Sequence, residues 1–446
     1  MVGFNNALET ARASILNWAG ANLLDSVTIV RDVFGKLAFL FDNTSYPDDT
    51  QRTDLENILA QDLQGYYSGN IYWENASRNV NRYLTPLMDV MRQDRREWCI
   101  AGQGIKFYLS ERPIAKKAWV SGLMDLDAVW PYEEAFHGNK PKVVTFYSFK
   151  GGMGRTTTLA SVALQLARKG KNVMMVDTDI EAPGLATLFF EEDRILNGVL
   201  DYLLEHPLSG AGISNYVLDV TEPELLAEGD GSLYVLPAGK VDENYLQKLA
   251  RIDYQDHREG ALRGALCGML EEIQNSYSVD YILIDARAGF HDMGGIAVAQ
   301  LPHGAVLFGN DSRQSWDGIT QVIHTIASCH TDNIPILIAD CMCENSTAPS
   351  FVQAKEHFVQ KAYTACAENY YTEGEALPGI DAVNVAHSPV FLPYDASLRQ
   401  DIVLYSTQST GGDARVRAFA ERLRSEPYKA VLDRMESWFG EGDIVL

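Results

Sequence analysis

The chain has 446 residues, of which 46% are hydrophobic and 22% charged, a length and balance that fit two or three domains with their own cores and exclude disordered, fibrous and solenoid classes. Sixty acidic residues against 37 basic ones leave a formal charge of −23, a surface that repels phosphate backbones and disfavours non-specific DNA binding. The longest charge-free apolar stretch, near Gly294 to Asn310, is interrupted by Pro302 and His303 and falls short of the roughly 20 residues of a membrane span.

The first 138 residues read as a small α+β module. Ser26 to Phe41 holds two β-rich runs around Val33-Phe34-Gly35-Lys36, a hairpin pattern, while Asp54 to Gln64 and Asn79 to Glu97 carry helical periodicity. No motif gives this module a role, and a sensor or partner-binding part is the expectation. The polar segment His137-Gly138-Asn139-Lys140-Pro141 has the composition of a linker, so the boundary is placed between 138 and 139.

Beyond it, Lys142 to Ser148 is a β-branched and aromatic run that ends at a glycine cluster and is followed by a helical pattern stopping at Gly170. Asn172 to Val176 is a second buried run, which completes a βαβ unit. Further strands are predicted at Leu233 to Pro237, Tyr281 to Ile284, Ala305 to Phe308, Ile334 to Ala339 and Val390 to Leu392. Residues 139–446 therefore read as one doubly wound α/β domain with a mostly parallel sheet. The six cysteines are too scattered for a disulfide framework, and Cys341-x-Cys343 with His330 fits no common zinc spacing. With no secretory signal pattern at the start, a cytoplasmic location is expected.

The chemistry concentrates at Phe149-Lys150-Gly151-Gly152-Met153-Gly154-Arg155-Thr156-Thr157-Thr158, where a strand feeds a helix. Glycines let the backbone curl around phosphate, and the helix N-terminus adds its positive end. The usual phosphate-loop pattern has Gly at the position of Phe149 and Lys at that of Arg155. This segment resembles the deviant Walker A motif of the MinD/ParA family of ATPases, in its Lys-Gly-Gly-x-Gly-Arg-Thr variant, and the similarity runs over about 140–400.

The resemblance implies ATP and Mg2+ as ligands. Gly151, Gly152, Met153, Gly154, Arg155, Thr156 and Thr157 would surround the phosphates, with Thr156 on magnesium, and Lys150 would reach across an ATP-dependent homodimer to the partner's phosphates. Arg155 pairs well with phosphate oxygens but cannot take a lysine's place without shifting them, so binding is expected and slow hydrolysis with it. In Asp177-Thr178-Asp179, the later aspartate would position the attacking water; a helix N-cap is the other reading of Asp179. Glu181-Ala182-Pro183-Gly184-Leu185 would begin the first switch.

Tyr281 to Gly289 resembles a Walker B strand and second switch, with Asp285 holding magnesium through water and the Gly289 N–H approaching the γ-phosphate. Arg287 and Asp292 in that loop read either as solvated charges or as links to a partner. Ala305 to Gly318 resembles the family's strand and Gln-x-x-x-Gly helix start. Pro389 to Asp395 resembles its base-side loop, with base contacts expected at Pro393 and Tyr394. Asp340 stands in the region where the family often has an adenine-reading asparagine.

The leading expectation is a Mg-ATP switch that dimerises on ATP, hydrolyses it slowly and controls a protein partner or effector, in bacterial signalling or antiviral defence. The alternatives are a ParA-like DNA partitioning ATPase, for which Arg415, Arg417, Arg422 and Arg424 would be the basic stripe, and a nucleotide-binding scaffold without catalysis. A membrane target at the acidic C-terminus is disfavoured.

Overall fold

A computed structural model describes residues 2–74, 78–93, 95–101, 104–113, 116–120, 141–227, 229–252, 261–329, 333–371, 376–399, 401–406 and 412–440. The chain divides into two compact units, Met1–Lys117 and Ala118–Leu446. The boundary expected between 138 and 139 lies outside the described residues.

The first unit runs α1 (Ala7–Asn17), β1 (Leu24–Arg31), β2 (Leu37–Asn43), α2 (Asp49–Leu63), β3 (Tyr67–Trp73), α3 (Arg78–Gln93), β4 (Arg96–Ala101), β5 (Ile105–Glu111). Its sheet has the order β3-β2-β1-β5-β4. The expected hairpin is present, with β1 and β2 antiparallel and the Asp32 carboxylate accepting the Phe34 and Lys36 N–H groups in the turn. Helix α2 starts earlier than its periodicity suggests because Asp48 caps it, accepting the Gln51 N–H at 2.8 Å while the Gln51 side chain accepts the Asp48 N–H. The periodicity read over 79–97 overran into β4 (Arg96–Ala101), and β3 and β4 show no clear alternation in the sequence. Val27, Ile29, Phe39, Phe41 and Phe107 pack with Ile15, Leu55 and Leu59 into the core.

The second unit carries an eight-stranded sheet in the order β13-β12-β11-β6-β10-β7-β9-β8. Its strands are β6 (Lys142–Ser148), β7 (Val173–Asp177), β8 (Leu218–Asp219), β9 (Leu233–Leu236), β10 (Tyr281–Asp285), β11 (Gly304–Gly309), β12 (Ile336–Cys343) and β13 (Val390–Pro393). All pairs are parallel except β8 with β9.

Alternation along the strands explains their unbroken apolar runs, since both faces are covered. Val143, Val176, Ile282, Ile284, Leu307 and Ile338 meet α6 (Ala261–Ser276), α7 (Asp292–Ala299), α8 (Arg313–Cys329) and α9 (Phe351–Asn369). Val144, Phe146, Met175, Leu283, Phe308 and Leu337 face α4 (Arg155–Arg168), α10 (Gly412–Leu423) and α11 (Glu426–Trp438). Helix α5 (Val199–Ser209) completes the first layer.

Strand β6 lies between β10 and β11, while the strand that follows it in sequence, β7, sits beyond β10. Chain order therefore reverses at the carboxyl end of β6, where open α/β sheets form a crevice. No helix among the described residues is long and apolar enough to cross a membrane. At the C-terminus, Met435 is buried and Glu436 pairs with Lys169; residues 441–446 lie outside the described residues.

Candidate functional site

The loop after β6 turns back through Gly152 at φ 75° and Gly154 at φ 76°, left-handed conformations that strain any side chain. Helix α4 begins at the next residue, so its unpaired N–H end opens on a cavity of about 730 Å³. Gly151, Gly152, Met153, Gly154, Arg155, Thr156 and Thr157 all line it, together with Asp179 and Pro393.

Asp179 lines the cavity, and the ends of neighbouring strands bring two further carboxylates, both buried, behind it. Asp177 and Asp285 are register partners on β7 and β10, and Asp179 follows two residues on. The Arg155 guanidinium bridges two of them, with Nε donating to Asp285 and Nη2 to Asp179 Oδ2 at 3.0 Å. Thr156 Oγ1 donates to Asp285 Oδ2 at 2.6 Å. Burial opposes the charge on Arg155, and Asp285 and Asp179 more than restore it, so its pKa rises above the ordinary arginine value. Burial also raises the Asp285 pKa, against the pull of Arg155 and Thr156.

Asp179 is not a helix cap in this structure. The capping work falls to Asp177, whose carboxylate accepts the N–H groups of Asp179, Gly184 and Leu185. Burial and Asp285 nonetheless push Asp177 up to about 7. Asp179 is left with one oxygen, Oδ1, that is buried without a hydrogen bond and lies 3.7 Å from Arg287 Nη1.

The two segments expected to act as switches meet directly. Glu181 takes Arg287 Nη2 at 2.8 Å on one oxygen and His291 Nε2 at 2.5 Å on the other. Arg287 is thus ion-paired rather than solvated, and Asp292, also read as a solvated charge, is buried at the start of α7. Gly289 corrects a second expectation. Its φ of 76° suits glycine, but its N–H donates to the Ser148 carbonyl at 3.3 Å, and Ala288 lines the cavity in its place.

Lys150 turns away from the acids and donates to Ser312 Oγ at 3.2 Å. Pro393 and Tyr394 border the wide end of the cavity with Met342, Leu398 and Tyr428. Met342, at φ 55°, sits in the irregular β12/β13 register. Asp340 does not line the cavity, because its neighbours Ala339 and Cys341 face the α4 side of the sheet and its own side chain points to the other. Sequence reasoning gave Asp177 and Glu181 no partner and missed His291, Met342 and Tyr428, since their placement depends on segments far apart in the chain.

Asp340 carries a prediction for stability. Burial and Asp311 push its carboxyl up to about 7, so the folded state favours its protonated form. The stability this confers is complete below the ordinary aspartate pKa and is lost as pH rises through about 7. Unfolding free energies from urea titrations at pH 5.5 and 8 should differ by roughly 2 kcal/mol less in Asp340→Asn than in the wild type.

The donor set also suits a hard cation. Thr156 and Asp285 present oxygens 2.6 Å apart, the chemistry magnesium takes, and no cluster of three or more His, Cys, Asp or Glu side chains that could hold a metal occurs among the described residues.

Residues 141–337 match the family model described as an AAA domain. An uncharacterised ATP-binding protein of Methanocaldococcus jannaschii is 32% identical over 149 residues, 33% of this chain and 46% of that protein. The septum site-determining protein MinD of Helicobacter pylori is 44% identical over 61 residues, 14% of this chain and 23% of its own length. The chain therefore spans less than half the length of these relatives. Among solved structures, the pNOB8 ParA structure aligns over 67% of this chain and 99% of its own, with 17% identity and a TM-score of 0.46.

Proposed function

We propose that residues 141–337, which match a family model described as an AAA domain, form a MinD/ParA-like P-loop ATPase domain that binds Mg-ATP in the cradle, dimerises face to face on it and resets by slow hydrolysis. The observation that carries this reading is the convergence on one cavity of the loop 151–157, Thr156 with Asp285 bonded behind it, and Asp179. The name of the Methanocaldococcus relative, an ATP-binding protein, supports the choice of nucleotide.

Triphosphate would lie along the Gly151–Gly154 backbone and the α4 N-terminus, with its base toward Pro393, Tyr394 and Met342. Thr156 and Asp285 would hold magnesium, which when bound neutralises charge on the phosphates. Asp179 Oδ1, which makes no hydrogen bond, would accept a hydrogen from the attacking water and aim its oxygen in line with the γ-phosphorus. The P–O bond to ADP breaks as the new P–O bond forms, and the water's proton leaves with the phosphate. Lys150, outside the acid cluster, is the residue free to cross to a second copy.

Such a switch acts through something else, and a protein partner or effector, in bacterial signalling or antiviral defence, is the proposed target. The DNA-riding alternative draws no support from its arginine stripe. Arg417 pairs with Glu224, Arg422 with Asp395, and Arg415 donates to the Asp401 carbonyl.

Light-scattering mass with Mg2+ and ATP, ADP or no nucleotide tests the proposal on wild type and Lys150→Ala, with phosphate release followed on the same samples. A dimer with ATP only, weakened about tenfold or more in the variant, is expected for loss of a charge-assisted contact to phosphate. Identical mass in all three states overturns the dimer switch, and absent phosphate release leaves the scaffold reading in its place.

A further inference from the structure

We infer that Arg155 is a built-in counter-cation which lets this site hold nucleoside triphosphate with little help from Mg2+, an inference that rests on the nucleotide-site reading above. The usual phosphate-loop residue here is a lysine, a point charge on a flexible stem. Its replacement changes what one side chain can reach.

A triphosphate entering this cavity meets the Asp179 carboxylate on its wall, with Asp285 buried behind it, and Arg155 bridges the two. In most such sites a metal ion resolves that repulsion by standing between acid and phosphate. The guanidinium is a planar fork with five N–H donors. Nε and Nη2 are spent on Asp285 and Asp179, while Nη1 has no hydrogen-bond partner among the described residues and is not sealed from solvent. Arg155 itself lines the cavity, with its side chain about 10% exposed. One rigid group therefore bonds both acids and keeps a free edge for a phosphate oxygen.

A lysine cannot do this, because its three donors radiate from a single nitrogen at the end of a flexible stem. The carboxylates would then face the phosphates uncompensated unless a metal came in. The same geometry accounts for slow turnover, since the guanidinium occupies one oxygen of Asp179 and supplies no coordination sphere in which to fix a water.

Isothermal titration of ATP into the full chain, once in Mg2+ and once in EDTA, tests the inference on wild type, Arg155→Lys and Thr156→Val. Wild-type affinity should fall by no more than about threefold in EDTA, and that of Arg155→Lys by about tenfold or more, for loss of a bidentate charge-assisted bridge. Thr156→Val keeps the guanidinium and loses the hydroxyl proposed for magnesium, so the ratio of its affinities in Mg2+ and EDTA should lie closer to one than the wild type's, whatever the absolute affinity. Thermal melting of Arg155→Lys shows that it is folded, and Thr156→Val carries the comparison if it is not.

Wild type binding only with Mg2+ overturns the inference and leaves the proposed function standing. Absence of ATP binding in both conditions overturns both.

Discussion

Asp179→Asn should lower phosphate release by about 100-fold, the scale of losing one positioned acceptor in water activation, while ATP affinity and the ATP-dependent mass change little. The substitution is close to isosteric. The side-chain oxygen of asparagine can still accept from Arg155 Nη2, which holds Asp179 Oδ2 at 3.0 Å. The other position, the buried Oδ1 without a hydrogen bond, becomes an amide that donates and cannot accept from water. It also lies 3.7 Å from Arg287 Nη1, so one more donor faces a guanidinium. The cradle, the Thr156–Asp285 pair and Lys150 are untouched, which separates turnover from binding. Release within threefold of wild type would remove Asp179 from the chemistry and shift attention to Glu181, which already joins the two switches.

That junction shows how nucleotide state would reach a surface. Glu181 is shared between Arg287 and His291, and the Tyr147 hydroxyl donates to the Gly289 carbonyl at 3.0 Å. Moving Asp179 or Gly289 by the length of one hydrogen bond therefore works on both switch segments through the same carboxylate. Discrete ion pairs of this kind favour two arrangements over a continuum.

What the sequence shows and hides follows from the range of the interactions. The βαβ unit at 142–177 is readable because apolar runs, a glycine cluster and a helix stop are local signals, and both strands are buried on two faces. The carboxyl-end positions of Asp179 and Asp285 follow from the same local pattern. The Arg155 bridge joins residues 24 and 130 positions apart, and no spacing rule carries it. The Gly289 N–H is claimed by Ser148 across neighbouring strands, a competition that a motif cannot express. In the first unit, β3 begins with Tyr67-Ser68-Gly69-Asn70 and is only partly buried, so neither propensity nor alternation marks it as a strand.

Phe149 is the feature that a glycine-loop pattern would reject, and the fold makes a place for it. A β-carbon added at Gly318 of α8 would lie 2.1 Å from Phe149 Cγ, so the ring lies flat against the bare helix backbone. On its other side Phe290, from the second switch, has its centroid 4.8 Å away. Gly318 is thus the packing partner of Phe149. Gly318→Val has to displace the ring and with it the first residue of the phosphate loop. Overpacking of this kind costs roughly 1–3 kcal/mol, and here the strain falls on the cradle, so ATP affinity should drop by about tenfold or more alongside a fall in melting temperature of a few degrees. Phe149→Gly in the same chain removes both the ring and the β-carbon that would lie 2.7 Å from the added one, and the double variant should recover most of both losses. Equal losses in the single and double variants would show that Gly318 matters to α8 alone, with no bearing on how the phosphate loop is held.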